Sequence, residues 1–486
     1  MISSPLSVIM ITRIKASVGD KTMYEFFGDT LNQIIENYSE SKNTLIQKTG
    51  IDRSTFFQIL KGKRIPTPDQ LQTILDFLLL PPTEEMRLRE AFLHDRLGDE
   101  GYKSRKTVLG LLSILQEDDN HTPSTPPVIY SPESDSFPYE GTTTLTNATV
   151  LKAFLFSALK KAQLEKENRI DLFLPLNVLR ELDFYQMEGS LCANPEYKNR
   201  HFRHVLSFSS RTDPYTEEMF LDYREYIRFL ISYPQVFQSF YYYDMANMRD
   251  SLGVVFPYYV IFPFGVLMIN TESTEGLYSP DPLILEEYHH HFEKGLARMK
   301  PMITNIQSLE EYVPFQLNLP DETRTWYISW QPGISYLAND QMIEKFIPDK
   351  ETQILYQTHI RAFQHTDYHE YISPDGLQQF LRSGRLKELH MDISAAPGDM
   401  EYAKMLIAKR LGENLDLVNP EHFNMPRNWA IHVVSGRVVS FVPLLHGNRA
   451  IFIHERKLAE CFETFFDHLN EGGLLLDKEE ACRFIH

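Results

Sequence analysis

The chain has 486 residues, 43% of them hydrophobic and 12% aromatic, a composition that supplies packed cores and excludes a mainly disordered protein. Its three cysteines have no paired spacing and no apolar run reaches the roughly 18 residues of a membrane span, so a disulfide framework, a zinc site and a membrane protein are not expected. A cytoplasmic chain of roughly two to four domains, with a net charge of −18 and without a metal or cofactor, is therefore predicted.

The first 22 residues are predicted to be a disordered extension. The short apolar run at positions 4–11 is too brief for a signal peptide, and Met23 stands directly before the first helical pattern. From there the spacing of apolar residues predicts a helix. Its stripe consists of Leu31, Ile34, Ile35 and Tyr38.

Residues 39–64 are the most informative stretch, because they predict two short helices joined by a tight turn. Gly50 stands where the chain must turn and where a positive φ favours glycine, and Asp52 is placed to cap the second helix. The small core between these helices would be formed by Leu45, Thr49, Ile51, Phe56 and Ile59. A unit of this kind puts its second helix into the major groove of DNA.

Two more helices are predicted downstream. Thr67 and Gln70 have the spacing of a capping box, with Pro68 at the first helical position. The stripe that follows is Leu71, Ile74, Leu75 and Leu78. Pro81-Pro82 ends that helix, and Thr83 starts a fifth, which carries Leu88, Ala91 and Phe92. Five short helices predict an all-α domain, with bounds at 23–115.

A basic island coincides with the two-helix motif. Positions 41–64 hold six basic residues and one acidic residue, so this segment carries +5 while the rest of the chain carries −23. Phosphate contacts supply most of the sequence-independent affinity for DNA, and the acidic remainder should confine contact to the island. The basic residues are Lys42, Lys48, Arg53, Lys61, Lys63 and Arg64.

Residues 25–94, and above all the words TGIDRSTFFQIL and KGKRIPTPDQL, resemble the helix-turn-helix domain of the phage-repressor-like (XRE) family of bacterial regulators. The family usually has a small alanine in its first motif helix, where this chain has Ile46. The resemblance implies that bases are read by Arg53, Ser54, Phe57 and Gln58. It implies that phosphates are bound by Lys42, Thr55, Lys61, Lys63 and Arg64.

The resemblance also implies the partners. They are double-stranded DNA with an inverted-repeat operator and a second copy of the chain, because one such domain reads only a few base pairs. The open alternative is a helical interaction module that keeps this shape and does not bind DNA.

Residues 116–148 are rich in proline, serine, threonine and acidic residues, and are predicted to be a linker. Beyond it, alternating patterns predict α/β modules at 149–305 and 306–486, so the whole is an α+β multidomain protein. The predicted strands are 169–176, 204–208, 240–243, 258–262, 266–270, 326–330, 388–393, 429–434, 438–444 and 449–454. The predicted helices are 150–167, 217–230, 282–299, 400–411 and 456–469.

A weak internal repeat in the sequence suggests that the module is duplicated. Strand Gly265–Ile269 and strand Ala450–Ile453 are each followed by a helix with an aromatic stripe. The second of these pairs resembles phospholipase D-like modules, whose catalysis needs a His-x-Lys pair in each half. None of the 17 histidines has a lysine two positions later, so such a module would be catalytically empty.

Other chemical motifs are also missing, and an enzyme is not predicted. His289, His290 and His291 point in different directions on one predicted helix, which favours a solvated face over a metal site. His365 and His369 lack the glutamate that a zinc peptidase needs directly after the first histidine.

The predicted function is transcriptional regulation, with a C-terminal region that dimerises the protein, senses a small molecule or peptide, or does both. An aromatic surface could line the effector pocket, although a place in the core is the simpler interpretation. Its residues would be Tyr241, Tyr243, Tyr258, Phe262, Trp326 and Trp330. The alternatives are an immunity-type repressor or antitoxin that binds a protein, and an enzyme fused to a DNA-binding domain.

Overall fold

The computed structural model describes residues 25–37, 42–118, 140–165, 169–192, 201–209, 217–233, 236–244, 255–306, 308, 310–313, 323–333, 337, 340–347, 349–364, 366–388, 391–394, 397–444, 450–471 and 473–485. The predicted extension 1–22, Tyr38 and most of the proline-rich segment 116–148 lie outside the described residues. The chain divides into two compact units, Met1–Tyr102 and Lys103–His486.

The N-terminal unit is helical. Its helices are α1 (Glu25–Asn37), α2 (Lys42–Thr49), α3 (Arg53–Leu60), α4 (Pro68–Leu78) and the first part of α5 (Pro82–Asp118). The predicted capping box is confirmed, since the Thr67 hydroxyl accepts from the Gln70 amide and the Gln70 side chain accepts from the Thr67 amide. Gly50 has φ +67° at the turn between α2 and α3, as predicted.

The predicted core of this unit is confirmed. α1 packs against α3, and α2 packs against α4. A second contact joins α1 to α5, where the buried Asp95 carboxylate accepts hydrogen bonds from the amides of Phe26 (3.3 Å) and Phe27 (2.8 Å) and so caps the start of α1. The buried residues that the sequence predicted are Leu31, Ile34, Ile35, Leu45, Thr49, Ile51, Phe56, Ile59, Leu71, Ile74, Leu75, Leu78, Leu88 and Phe92.

Helix α5 extends beyond the N-terminal unit. It is interrupted at Gly98, whose φ of +70° is outside the helical region and suits glycine. Residues from Lys103 onward belong to the C-terminal unit, so the division falls earlier than the residue 115 taken from the sequence. Val108, Leu111 and Leu115 are fully buried in the core of that second unit.

The C-terminal unit begins with a mixed sheet. Its eight described strands are β1 (Thr143–Leu145), β2 (Arg169–Phe173), β3 (His201–Ser209), β4 (Phe237–Asp244), β5 (Tyr258–Phe262), β6 (Gly265–Ile269), β7 (Gly276–Ser279) and β8 (Lys300–Pro301), in the order β1-β7-β6-β5-β2-β3-β4-β8. The helices of this part are α6 (Ala148–Ala162), α7 (Leu176–Glu181), α8 (Phe184–Cys192), α9 (Glu217–Ser232) and α10 (Pro282–Leu296). Helices α6 to α9 pack on one face of the sheet and α10 on the other.

A second mixed sheet follows. Its seven described strands are β9 (Ile303–Ile306), β10 (Arg324–Ser329), β11 (Asp367–Ile372), β14 (Leu415–Leu417), β15 (Trp429–Val434), β16 (Val438–Pro443) and β17 (Ala450–Ile453), in the order β14-β11-β10-β15-β16-β17-β9. The hairpin β12 (Arg385–Glu388) and β13 (Met391–Ser394) stands apart from it. The helices are α11 (Asp340–Phe346), α12 (Lys350–Gln364), α13 (Pro374–Ser383), α14 (Pro397–Arg410), α15 (Arg456–Asp467) and α16 (Lys478–Cys482).

The second sheet repeats the topology of seven strands of the first. Read from the β1 edge and from the β9 edge, both sheets show four antiparallel pairs followed by two parallel pairs, and the eighth strand of the first sheet, β8, has no counterpart in the second. The strand next to the β1 or β9 edge, β7 or β17, is followed along the chain by a helix, α10 or α15. This agreement supports the duplication suggested by the sequence, but it pairs Ala450–Ile453 with Gly276–Ser279 rather than with Gly265–Ile269.

Side chains at matching positions also support the duplication. Helices α10 and α15 are both capped by an acidic side chain, Asp281 or Glu455, which accepts hydrogen bonds from the second and third amides of its helix. Twelve residues after each cap stands another acid, and it pairs with the arginine that begins the central strand. These pairs are Arg169 with Glu293 at 3.8 Å and Arg324 with Asp467 at 3.4 Å.

The two repeats are joined at the edges of their sheets. Residues 300–306 pair with β4 over their first part and with β17 over their second. Between these parts, the Met302 amide donates to Ser239 O and the Met302 carbonyl accepts from the His454 amide, both at 2.7 Å. One hydrophobic core contains residues of both sheets. Within the described residues, none of the helices is both long and apolar enough to cross a membrane.

Several element predictions need correction. The predicted single strand 388–393 is the hairpin of β12 and β13, and the strand predicted at 169–176 ends at Phe173 before α7 begins at Leu176. Strands β1, β7, β8, β9, β11 and β14 and helices α7, α8, α11, α12, α13 and α16 were not predicted. The predicted α+β class is confirmed, and both large sheets are mixed.

Candidate nucleic-acid interface

Helix α3 has one buried face and one exposed face. Phe56, Ile59 and Leu60 are buried in the core of the N-terminal unit. The predicted base-reading residues lie elsewhere on the helix, where Arg53, Ser54 and Gln58 are exposed and Phe57 is partly exposed. The guanidinium of Arg53 lies over the Phe57 ring, 5.9 Å from its centre, so the two side chains make a cation–π contact. The exposed face therefore offers hydrogen-bonding groups beside one aromatic ring.

The start of α3 is fixed by Asp52, as predicted. Its carboxylate accepts hydrogen bonds from the amides of Ser54 at 2.9 Å and Thr55 at 3.1 Å. Hydrogen bonds from Ser54 and then Thr55 hold the pKa of Asp52 below its ordinary value, so the cap is ionised at neutral pH. The amide of Thr55 is therefore already bonded, and the side chains of Ser54 and Thr55 also hydrogen-bond the Asp52 carboxylate.

The end of α3 leads into the basic loop. Gly62 has φ +63° and turns the chain, and Lys61, Lys63 and Arg64 after the helix are all exposed. Three of the last four helix carbonyls accept amide hydrogen bonds from this turn. The bonds run from Lys61 N to Phe57 O at 3.1 Å, from Gly62 N to Ile59 O at 3.0 Å, and from Lys63 N to Gln58 O at 2.9 Å.

Helix α1 approaches this turn at Gly28. A Cβ atom on Gly28 would lie 2.9 Å from Ile59 O, 3.0 Å from Gly62 N and 3.1 Å from Leu60 O, which is too close for any other residue without a shift. The backbones of α1 and the end of α3 are therefore in direct contact, and the position of the basic loop is set by α1.

Asn32 completes this junction and was not singled out from the sequence. Its Nδ2 group donates to Gly28 O at 2.9 Å and to Leu60 O at 2.8 Å, which satisfies the remaining terminal carbonyl of α3. Its Oδ1 atom accepts from Nζ of Lys42, the first residue of α2, at 2.9 Å. The available signal was a polar amide directly beside Leu31 in the apolar stripe of α1.

The aromatic residues considered for an effector pocket do not share one surface. Tyr258, Phe262 and Trp326 are buried in the core, where Trp326 stacks on Phe466 with ring centres 5.1 Å apart. Strands β4 and β5, which carry Tyr241 and Tyr258, are separated by β2 and β3. The simpler interpretation from the sequence, a place in the core, holds for these three residues.

Neither comparison with known proteins nor the placement of possible metal ligands among the described residues points to a second site. A scan of known protein families finds no match to the sequence, and a search of curated proteins finds none that is significantly similar. Among the residues that the structure describes, no group of three or more His, Cys, Asp or Glu side chains is placed to hold a metal ion.

Proposed function

We propose that this chain is a bacterial, cytoplasmic transcriptional regulator of the phage-repressor-like type. Helices α2 and α3 form its helix-turn-helix and bind operator DNA. The C-terminal unit dimerises the protein and carries the sensor for a small-molecule or peptide signal. The proposal is supported by the capped helix α3, the positive φ of Gly50 and the basic loop that follows α3.

One observation carries the proposal. The residues of α3 that could hydrogen-bond bases are exposed, while the opposite side of the helix is buried in the core. The exposed Arg53 and Gln58 belong to a segment that carries +5 in a chain of −18, a charge contrast that suits phosphate binding. Arginine pairs with guanine and glutamine with adenine in the major groove, and lysines contact phosphates.

The base-reading and phosphate assignments predict different losses. We expect Arg53→Ala or Gln58→Ala to cost about 1–3 kcal/mol of binding free energy on the selected operator and much less on random DNA.

Lys63→Ala should weaken binding to both kinds of DNA and reduce the slope of log affinity against log salt by about one. The operator is first obtained by selection from random duplexes, and affinities are then measured over a range of salt concentrations. Equal losses of Arg53→Ala on both DNAs would move Arg53 to the phosphate class.

The dimer proposal is tested by removing the C-terminal unit. The shortened chain should end at Tyr102, because the part of α5 beyond it is buried in the C-terminal core and would expose Val108, Leu111 and Leu115. We expect the full chain to sediment as a dimer and fragment 1–102 as a monomer with far weaker operator binding. Equal affinity of the fragment and the full chain would show that dimerisation does not come from the C-terminal unit.

A further inference from the structure

We propose that Asn32 is a positioning residue that holds the Lys42 ammonium beside the end of α3, ready for a DNA phosphate, without neutralising its charge. The inference rests on the proposed function and names a residue of α1 that the motif itself does not contain.

A single side chain joins three helices at this point. Asn32 lies on α1, donates to Leu60 O at the end of α3 at 2.8 Å, and accepts from Lys42 Nζ at the start of α2 at 2.9 Å. Its third bond, to Gly28 O at 2.9 Å, fixes the amide on its own helix. With both amide hydrogens donated to carbonyls, the orientation of the amide is determined, and its oxygen must face Lys42.

The choice of an amide has an electrostatic consequence. An amide oxygen accepts a hydrogen bond from an ammonium group but brings no opposite charge, so the charge of Lys42 is not offset by its partner. A carboxylate of the same shape would form an ion pair and would repel phosphate. Lys42 is only partly exposed, which limits the volume that its ammonium group explores. The ammonium is therefore held in place before DNA arrives, and less side-chain entropy is lost on binding.

The same contact ties Lys42 to the base-reading helix. Asn32 bonds Leu60, the last residue of α3, and Gly28 brings the α1 backbone against the same turn. A phosphate contact made by Lys42 is then fixed relative to the side chains of α3. Contacts of this kind set the register of a protein on DNA, and bases are read within that register.

The test compares Asn32→Asp with Gln33→Glu in the full chain, on a short mixed-sequence DNA duplex. Both variants add one negative charge to α1 at neighbouring positions, but Gln33 is exposed and bonds Arg87 rather than Lys42. We expect both Asn32→Asp and Lys42→Met to reduce the salt slope by about one, and Gln33→Glu to leave the slope nearly unchanged. Circular dichroism on each variant checks that α1 to α5 remain folded.

A double-mutant cycle separates positioning from a general effect on the fold. In a Lys42→Met background, Asn32→Ala should cause no further loss of DNA affinity, because its effect passes through Lys42. The Asn32→Ala variant also carries the test if Asn32→Asp does not fold. Additive losses, or an unchanged salt slope for Asn32→Asp, would overturn the positioning role. Absence of any salt-dependent binding by the unmodified protein would overturn the proposed function itself, and this inference with it.

Discussion

Lowering the pH from about 7.5 to about 5 should destabilise the C-terminal unit by about 2 kcal/mol for each of three buried histidines. Burial lowers the pKa of His204 and His432 to about 4 and that of His359 to about 3, from an ordinary value of 6.5. Between those values the unfolded chain binds protons that the folded chain does not. Stability is therefore complete above about pH 6.5 and is lost as the pH falls toward 4.

The packing explains why these histidines resist protonation. His204 on β3 is fully enclosed, and its Nε2–H group donates to Leu174 O at 2.7 Å. His359 on α12 and His432 on β15 are both buried against Tyr312, and a charge on His432 further opposes a charge on His359. Protonation of any of the three would place a cation in an apolar core, and burying the charged ring costs more free energy than burying the neutral ring.

The three tryptophans make this prediction measurable. Trp326, Trp330 and Trp429 all belong to the C-terminal unit, so denaturant unfolding followed by tryptophan fluorescence reports that unit alone. His204→Gln should reduce the pH dependence by about 2 kcal/mol, because glutamine keeps a donor and does not titrate. The exposed His290→Gln on α10 is the matched control and should change nothing. Equal unfolding free energies at the two pH values would contradict the prediction.

Glu455→Ala should lower the unfolding free energy of the C-terminal unit by about 3–5 kcal/mol. The Glu455 carboxylate is fully buried and caps α15 of the second repeat through the amides of Lys457 at 3.0 Å and Leu458 at 2.7 Å. It also accepts hydrogen bonds from two phenols of the first repeat, those of Tyr223 at 3.0 Å and Tyr243 at 3.2 Å. Burial raises the pKa of Glu455, and these four donors oppose that rise. Alanine would leave the donors without their acceptor.

The duplication supplies an internal control for this substitution. Asp281 caps α10 at the matching position, but it is exposed, and among the described residues its carboxylate bonds only the amides of its own helix. Asp281→Ala should therefore cost about 1 kcal/mol, the ordinary value of a lost cap. The difference between the two variants measures the bonds between the repeats. If thermal and denaturant unfolding gave the same cost for both, the two phenol contacts would contribute nothing.

Local signals predicted the N-terminal unit well. The capping residues Asp52 and Thr67, the turn at Gly50 and the alternation of buried positions all depend on interactions within a few residues, and the structure confirms them. The clustering of exposed basic residues after α3 was predicted for the same reason. Asn32 was missed because its function depends on Leu60 and Lys42, which lie on other helices.

The C-terminal unit shows where local signals fail. Strand β11 contains Asp367, His369 and Glu370, a polar pattern that does not suggest a central strand. Glu370 is nevertheless fully buried, because the Gly333 amide donates to it at 2.6 Å and Arg410 pairs with it at 3.1 Å. The hairpin of β12 and β13 was missed because Leu389 and His390 carry no usual turn signal.

The repeated topology determines when each half of the C-terminal unit can be completed during synthesis. Strand β1 can pair only after β7 has been synthesised, and β7 ends at Ser279. Strand β9 can pair only after β17 has been synthesised, and β17 ends at Ile453. Strand β9 itself ends at Ile306, and at about 5–20 residues per second the ribosome needs roughly 7 to 30 s to pass from there to Ile453. During that interval the edge of β9 has no partner strand, and unpaired edges promote association between chains. Chains that end between β9 and β17 would thus carry a complete first sheet and a β9 strand whose pairing edge stays without a partner.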